Sequence, residues 1–179
     1  MPFYYAASFS RDILEMSYTN SLNVLFVLNG VGLLGRLVPT YLADHLGPIN
    51  VFIPTAFIAC VSVYAWMAVV NSAGVYAWAS LFGIAAGGVQ GLFPSAVGSL
   101  TRDEDLDKIG VRLGMAFTIL SFVVLTGPPI AGALITANDG KYFGVQGFTG
   151  ASLAVGIGFM VAARTVRVRR NGLDWKVKV

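Results

Sequence analysis

Few residues in this chain could do chemistry, and one stands apart. Arg36 is the one ionisable side chain inside an apolar run, eight residues before Asp44, or about 12 Å along a helix. Its head either sits deep among helices or stretches back to the membrane surface. A guanidinium is planar, permanently charged and able to grip an organic anion with two parallel hydrogen bonds. Asn29 lies seven residues earlier, two helical turns away and within about 20° of the same face. Gln90, Thr118 and Ser121 are the other polar groups placed within apolar stretches. Each can serve as an interhelical hydrogen-bonding group or as part of a substrate lining.

Other chemistries find little to work with. Cys60 is the single cysteine and His45 the single histidine, the latter in an expected turn. No thiolate pair, metal-ligating cluster or Ser-His-Asp set can be built from them, so neither a metal nor a cofactor is expected and an enzyme is disfavoured. An intramembrane enzyme would need ionisable residues within spans, and only Arg36 qualifies.

The elements that must position these residues are set by a long stretch without charge. From Leu46 to Thr101 there is no Asp, Glu, Lys or Arg, and the whole chain is 56% hydrophobic and 12% charged. A soluble domain with about 25% charged residues cannot leave such a length dry on its surface. The stretch reads as two helices crossing a bilayer, since within lipid each backbone amide must be satisfied inside its own segment. Five spans are expected, over 18–42, 49–70, 75–99, 110–135 and 143–166, with a turn Asp44-His45-Leu46-Gly47-Pro48 after the first. The fold class is therefore all-α integral membrane. Residues 1–10 are apolar and aromatic like the end of a span but only half long enough to cross, and read as a truncated helix. No basic segment precedes them as in a secretory signal.

Basic residues give an orientation. Arg36, Arg102, Lys108, Arg112, Arg164, Arg167, Arg169, Arg170, Lys176 and Lys178 fall on one side of this topology, against Arg11 and Lys141 on the other. The ten-to-two bias puts the C-terminus, with its tail 171–179, in the cytoplasm and the N-terminus outside. Arg102-Asp103-Glu104-Asp105-Leu106-Asp107-Lys108 reads as a solvated inner loop. The sequence pI near 9.2 reflects this basic tail. Topology and attraction to anionic lipid account for it without nucleic acid.

The glycines and prolines carry further signals. Gly83, Gly87 and Gly91 recur every four residues, a side-chain-free face on which another helix can pack closely. Pro94 and the pair Pro128-Pro129, after Gly127, remove helix hydrogen bonds and are expected to kink or break their helices.

Three segments resemble the major facilitator superfamily. Gly35-Arg36-Leu37-Val38-Pro39-Thr40-Tyr41-Leu42-Ala43-Asp44-His45-Leu46-Gly47-Pro48 resembles the inner loop between its eighth and ninth helices. Leu42, Ala43, Asp44 and Gly47 match, with Thr40 in place of a usual glycine and His45 in place of a usual arginine. Leu81-Phe82-Gly83-Ile84-Ala85-Ala86-Gly87-Gly88 and Gly127-Pro128-Pro129-Ile130-Ala131-Gly132 resemble the glycine-rich tenth helix and the Gly-Pro-Pro-x-x-Gly of the eleventh in monocarboxylate transporters, the fungal members especially.

That resemblance implies half of a twelve-helix fold, with 1–10 the outer end of helix seven and 11–170 the C-terminal six-helix half, the N-terminal half being absent. It implies alternating-access transport of a small organic anion or related metabolite, by proton symport, at the plasma membrane. It aligns Arg36 with the arginine that holds the substrate carboxylate, and Asp44 and Gly47 with a gating loop. Where mammalian members have an aspartate four residues before that arginine, this chain has Gly32. The alternative is a non-transporting, truncated membrane protein or a membrane interaction partner.

Overall fold

A computed structural model of the chain describes residues 2–99 and 108–171. Arg102 and the rest of the expected inner loop to Asp107, together with Lys176 and Lys178, lie outside the described residues, as does the side chain of Arg170. The described residues form six α-helices: α1 (Pro2–Asp12), α2 (Tyr18–Leu46), α3 (Pro48–Ala65), α4 (Ser72–Ser99), α5 (Ile109–Ala137) and α6 (Phe143–Asn171). Five of them, α2 to α6, are long and apolar enough to cross a membrane, with α3 extended by a 3₁₀ turn to Ala68. The all-helical membrane fold expected from the sequence is therefore observed, with the short sixth helix at the N-terminus.

Local chemistry explains the helix ends. Ser17 caps α2 by accepting a hydrogen bond from the Asn20 amide at 3.4 Å. The expected five-residue turn at 44–48 is a single residue. Asp44, His45 and Leu46 stay in α2, and Gly47, at φ 93°, reverses the chain alone while its N–H bonds the Ala43 carbonyl at 2.8 Å. Glycine suits that backbone conformation, and Pro48 opens α3 where no amide partner is needed. His45 is thus helical, its Nδ1 3.1 Å from the Tyr41 carbonyl. Asn71 starts α4 by accepting from Gly74 N–H at 2.6 Å.

The prolines within the helices do not break them. Pro39, Pro54, Pro94 and Pro128-Pro129 all lie inside continuous helices. Of the expected kink or break, the break does not occur, because losing one amide donor leaves the hydrogen bonds on both sides intact.

The packing centre is the crossing of α2 with α4, flanked by α3, which also carries α6. Glycines set its separation. A Cβ on Gly83 would lie 2.5 Å from the Leu28 carbonyl oxygen, and one on Gly87 or Gly35 would collide with the backbone of Gly32 or Ile84. Gly91 faces Arg36 and Thr40 across the same seam, at 3.2 Å and 3.1 Å from a would-be Cβ. The regular glycine face seen in the sequence is a packing surface, and its complement on α2, Gly32 and Gly35, is one the sequence reading had not paired with it.

The two ends of the bundle differ. At the end where α3 meets α4, Trp66 stacks on Trp78 at 4.8 Å and Trp78 on Phe82 at 5.5 Å, with Phe9 of α1 edge-on to Trp66 at 5.3 Å. Trp78 Nε1 donates to the Ser62 carbonyl at 2.8 Å. At the Gly47 end α6 is tied by polar contacts, with Arg164 Nε donating to Asn50 Oδ1 at 2.8 Å and Arg167 donating to the Ser99 carbonyl.

Candidate functional site

Arg36 projects from α2 two-thirds of the way along the helix, where the glycine seam brings α4 close. Its Nη2 donates to Gln90 Oε1 at 3.0 Å, joining residues 54 apart in sequence. This hydrogen bond ties the exposed guanidinium to a residue within α4 instead of leaving it free to extend toward a helix end. The Arg36 carbonyl accepts from Thr40 Oγ1 at 2.6 Å.

Both side chains line a cavity of about 930 Å³ between α1, α2, α4, α5 and α6. Among the described residues Arg36 is the only formally charged one in its wall, which is otherwise largely apolar and aromatic, with Phe3, Phe93, Phe117 and Phe148 among its members. Asn29 also reaches it, its Nδ2 bonded to the Leu25 carbonyl at 2.9 Å. The structure thus brings Arg36, Asn29 and Gln90 to one space.

Thr118 and Ser121 are not in that wall. Their hydroxyls donate to the Gly114 and Thr118 carbonyls of their own helix at 2.8 Å and 2.7 Å. The polar groups that α5 and α6 do present are Thr126, Thr149 and Ser152, which sequence reasoning missed. Their hydroxyl hydrogens are taken by carbonyls at Phe122, Val145 and Phe148, so they offer a ligand oxygen acceptors rather than donors. Donors for an anion come from Arg36 and the amides of Asn29 and Gln90. The signal that could have found Thr149 and Ser152 is their three-residue spacing on one helical face.

Of the segment Gly127-Pro128-Pro129, Gly127 and Pro128 line the cavity, and Tyr5 of α1 donates its hydroxyl to the Pro128 carbonyl at 2.8 Å. Asp44 lies at the exposed end of α2 beside Gly47, away from the cavity.

Comparison with known proteins follows the same direction. The chain is 45% identical over 169 residues, 93% of its length, to an MFS-type transporter of Gibberella zeae, of which it covers 38%. This chain is a homologue of MFS-type transporters, of the major facilitator superfamily. It is also 32% identical over 98% of its length to the MFS-type transporter pynF of Aspergillus niger, covering 39% of that protein. The aspyridones efflux protein apdF of Emericella nidulans is 29% identical over 87% of the chain, which covers 31% of it. The chain thus spans less than two-fifths of the length of these relatives. No family model and no solved structure matches it. The relatives are named as transporters rather than enzymes, in line with the absence of a catalytic set in the sequence reading. A multi-pass membrane protein of the transporter class is what the helices and these relatives together support.

Proposed function

We propose that this MFS homologue is the C-terminal six-helix half of a monocarboxylate-transporter-like protein that moves a small organic anion or related metabolite by proton-coupled alternating access. Residues 1–10 belong to helix seven in this reading and 11–170 to the rest of the half. Arg36 is the ligand of the anionic group, Asn29 and Gln90 complete the polar contact, and Asp44 with Gly47 forms the gating turn. Thr118 and Ser121 keep a place only if α5 rotates during the cycle. The protein sits in the plasma membrane with its C-terminus in the cytoplasm.

The observation that carries this reading is the pairing of Arg36 with Gln90 in the wall of a cavity where no described residue offers a carboxylate to neutralise the guanidinium. A permanent cation maintained in an apolar space is costly unless an anion meets it there. Substrate sites of this architecture lie near the bilayer midplane, and the cavity of about 930 Å³ draws its lining from five of the six helices.

The test is uptake by proteoliposomes holding the longer protein that contains this chain. Saturable organic-anion flux, accelerated by an inward proton gradient, is expected. Absence of any such flux for a panel of monocarboxylates, with the protein folded and inserted, would favour the non-transporting alternative. A reporter fused after Val179 should be protected from external protease in sealed cells, and cleavage there would refute the orientation.

A further inference from the structure

Arg36 is met by an amide, and that choice of partner has consequences. A guanidinium carries five N–H donors, of which Gln90 Oε1 takes one on Nη2. Among the described residues no other side chain accepts from Arg36. Gln90 must present its oxygen, because its N–H₂ would set donor against donor. A glutamate at the same place could take two of these donors and cancel the charge, while an apolar residue would leave the long side chain free to leave the cavity for the surface.

The size and chemistry of the wall narrow the ligand. At about 930 Å³ the cavity lies at the upper end of the range for drug-sized ligands. A second, almost wholly apolar cavity of about 350 Å³ shares Val89, Phe93, Ser152 and Leu153 with it. A three-carbon acid would leave most of this surface uncovered, whereas an aryl or alkyl body would cover it against Phe93, Phe117 and Phe148.

We propose that Gln90 is a positioning residue that sets specificity by holding Arg36 extended and uncompensated, so that the site selects a bulky apolar molecule bearing a single acidic group. This rests on Arg36 being the anion ligand. In the proposal the ligand's carboxylate accepts from the N–H groups Gln90 leaves available, and its apolar body lies along the phenylalanines. Gln90 contributes through Arg36 and not through the apolar body.

The experiment is equilibrium binding to the longer protein that contains this chain, solubilised in detergent, with radiolabelled 4-phenylbutyrate as probe and 4-phenylbutanamide and propionate as competitors. The wild-type protein is expected to prefer phenylbutyrate over both by about tenfold or more, the amide lacking the charge and propionate the body. Gln90→Glu should remove the preference for acid over amide, and Gln90→Ala should reduce it about threefold or more, while the thermal midpoint stays within error. Rescue of the preference by Gln90→Asn, which keeps an amide oxygen, is expected in part. If both Gln90→Glu and Gln90→Ala keep the full preference while Arg36→Ala abolishes it, Gln90 is not the positioning residue and Arg36 remains the anion ligand. If Arg36→Ala also keeps it, the reading of Arg36 itself is wrong. Propionate binding as tightly as phenylbutyrate, or no binding of phenylbutyrate to the folded protein, overturns the ligand class.

Discussion

Helices α4 and α5 are nearly the same length, 28 and 29 residues, and both are apolar, yet they hold opposite places in the molecule. Eleven residues of α4 are buried, against Ala131 alone on α5. The difference lies in what each offers a neighbour. α4 offers glycines at 83, 87 and 91 and lets the α2 backbone approach until a methyl group would collide. α5 has Gly110 and Gly114 with nothing within 4 Å of a would-be Cβ, and it touches the bundle through a few side chains, among them Phe117 against Phe93 at 5.5 Å. In lipid, apolar character does not bring helices together, since the tails are as apolar as leucine. Close backbone packing does, so glycines build the fixed wall of the cavity and large side chains build the loose one.

The comparison is easiest to break at the seam. Gly87→Val should cost more than about 3 kcal/mol, because the clash is with the Gly32 backbone and no side chain can yield. Loss of the monodisperse, heat-resistant species on fluorescence-detected size exclusion is the expected outcome. Gly114→Ala on α5 should be neutral or stabilising by up to about 1 kcal/mol. Equal damage from both substitutions would erase the distinction between the walls.

Aromatic truncation sharpens it. Phe82, 5% exposed and stacked on Trp78, loses packed neighbours when cut to alanine, a cost of about 1–3 kcal/mol in the absence of a strong hydrophobic term. Phe117, 48% exposed, should cost less than about 1 kcal/mol, with its effect appearing in ligand affinity instead. Denaturant titration of both variants reads the difference, and a larger loss at Phe117 would mean that α5 is held more firmly than its contacts indicate.

The smallest effect is expected at the α5–α6 turn. Tyr142 donates to Asp12 Oδ2 at 3.1 Å, and burial first, then that hydrogen bond, pushes its phenol up to about 12. Because the folded value is raised, the contribution is present below the ordinary value near 10 and is lost as pH rises through about 12. Tyr142→Phe should lower stability by about 1 kcal/mol at neutral pH. A thermal midpoint unchanged by the substitution would show that the contact with Asp12 contributes nothing.

Much of the fold was legible because its signals are local. A charge-free stretch, apolar lengths near that of a bilayer and Gly47 before Pro48 are all visible in a short window, although the helix running through Asp44 to Leu46 was not. The site was half legible. Arg36 and Gln90 were singled out separately, yet nothing in the sequence joins residues 54 apart. The face of α5 was hidden for another reason: a helix apolar all round has no polar side to mark its rotation, so Thr118 and Ser121 were chosen by type while Thr126 is the one that reaches the cavity. The continuous path of α5 through Pro128-Pro129 likewise depends on neighbours such as Tyr5 that lie far away in sequence.

The central claim is that Arg36 binds an anion from within the cavity and does not simply reach for the surface. Arg36→Lys keeps the charge and the flexible stem and loses the planar fork. Measured as organic-anion uptake into proteoliposomes by the longer protein containing this chain, transport should fall by about tenfold or more with insertion and amount unchanged. Uptake by the lysine variant at the wild-type rate would contradict the account and leave this part of the protein without a charged substrate ligand.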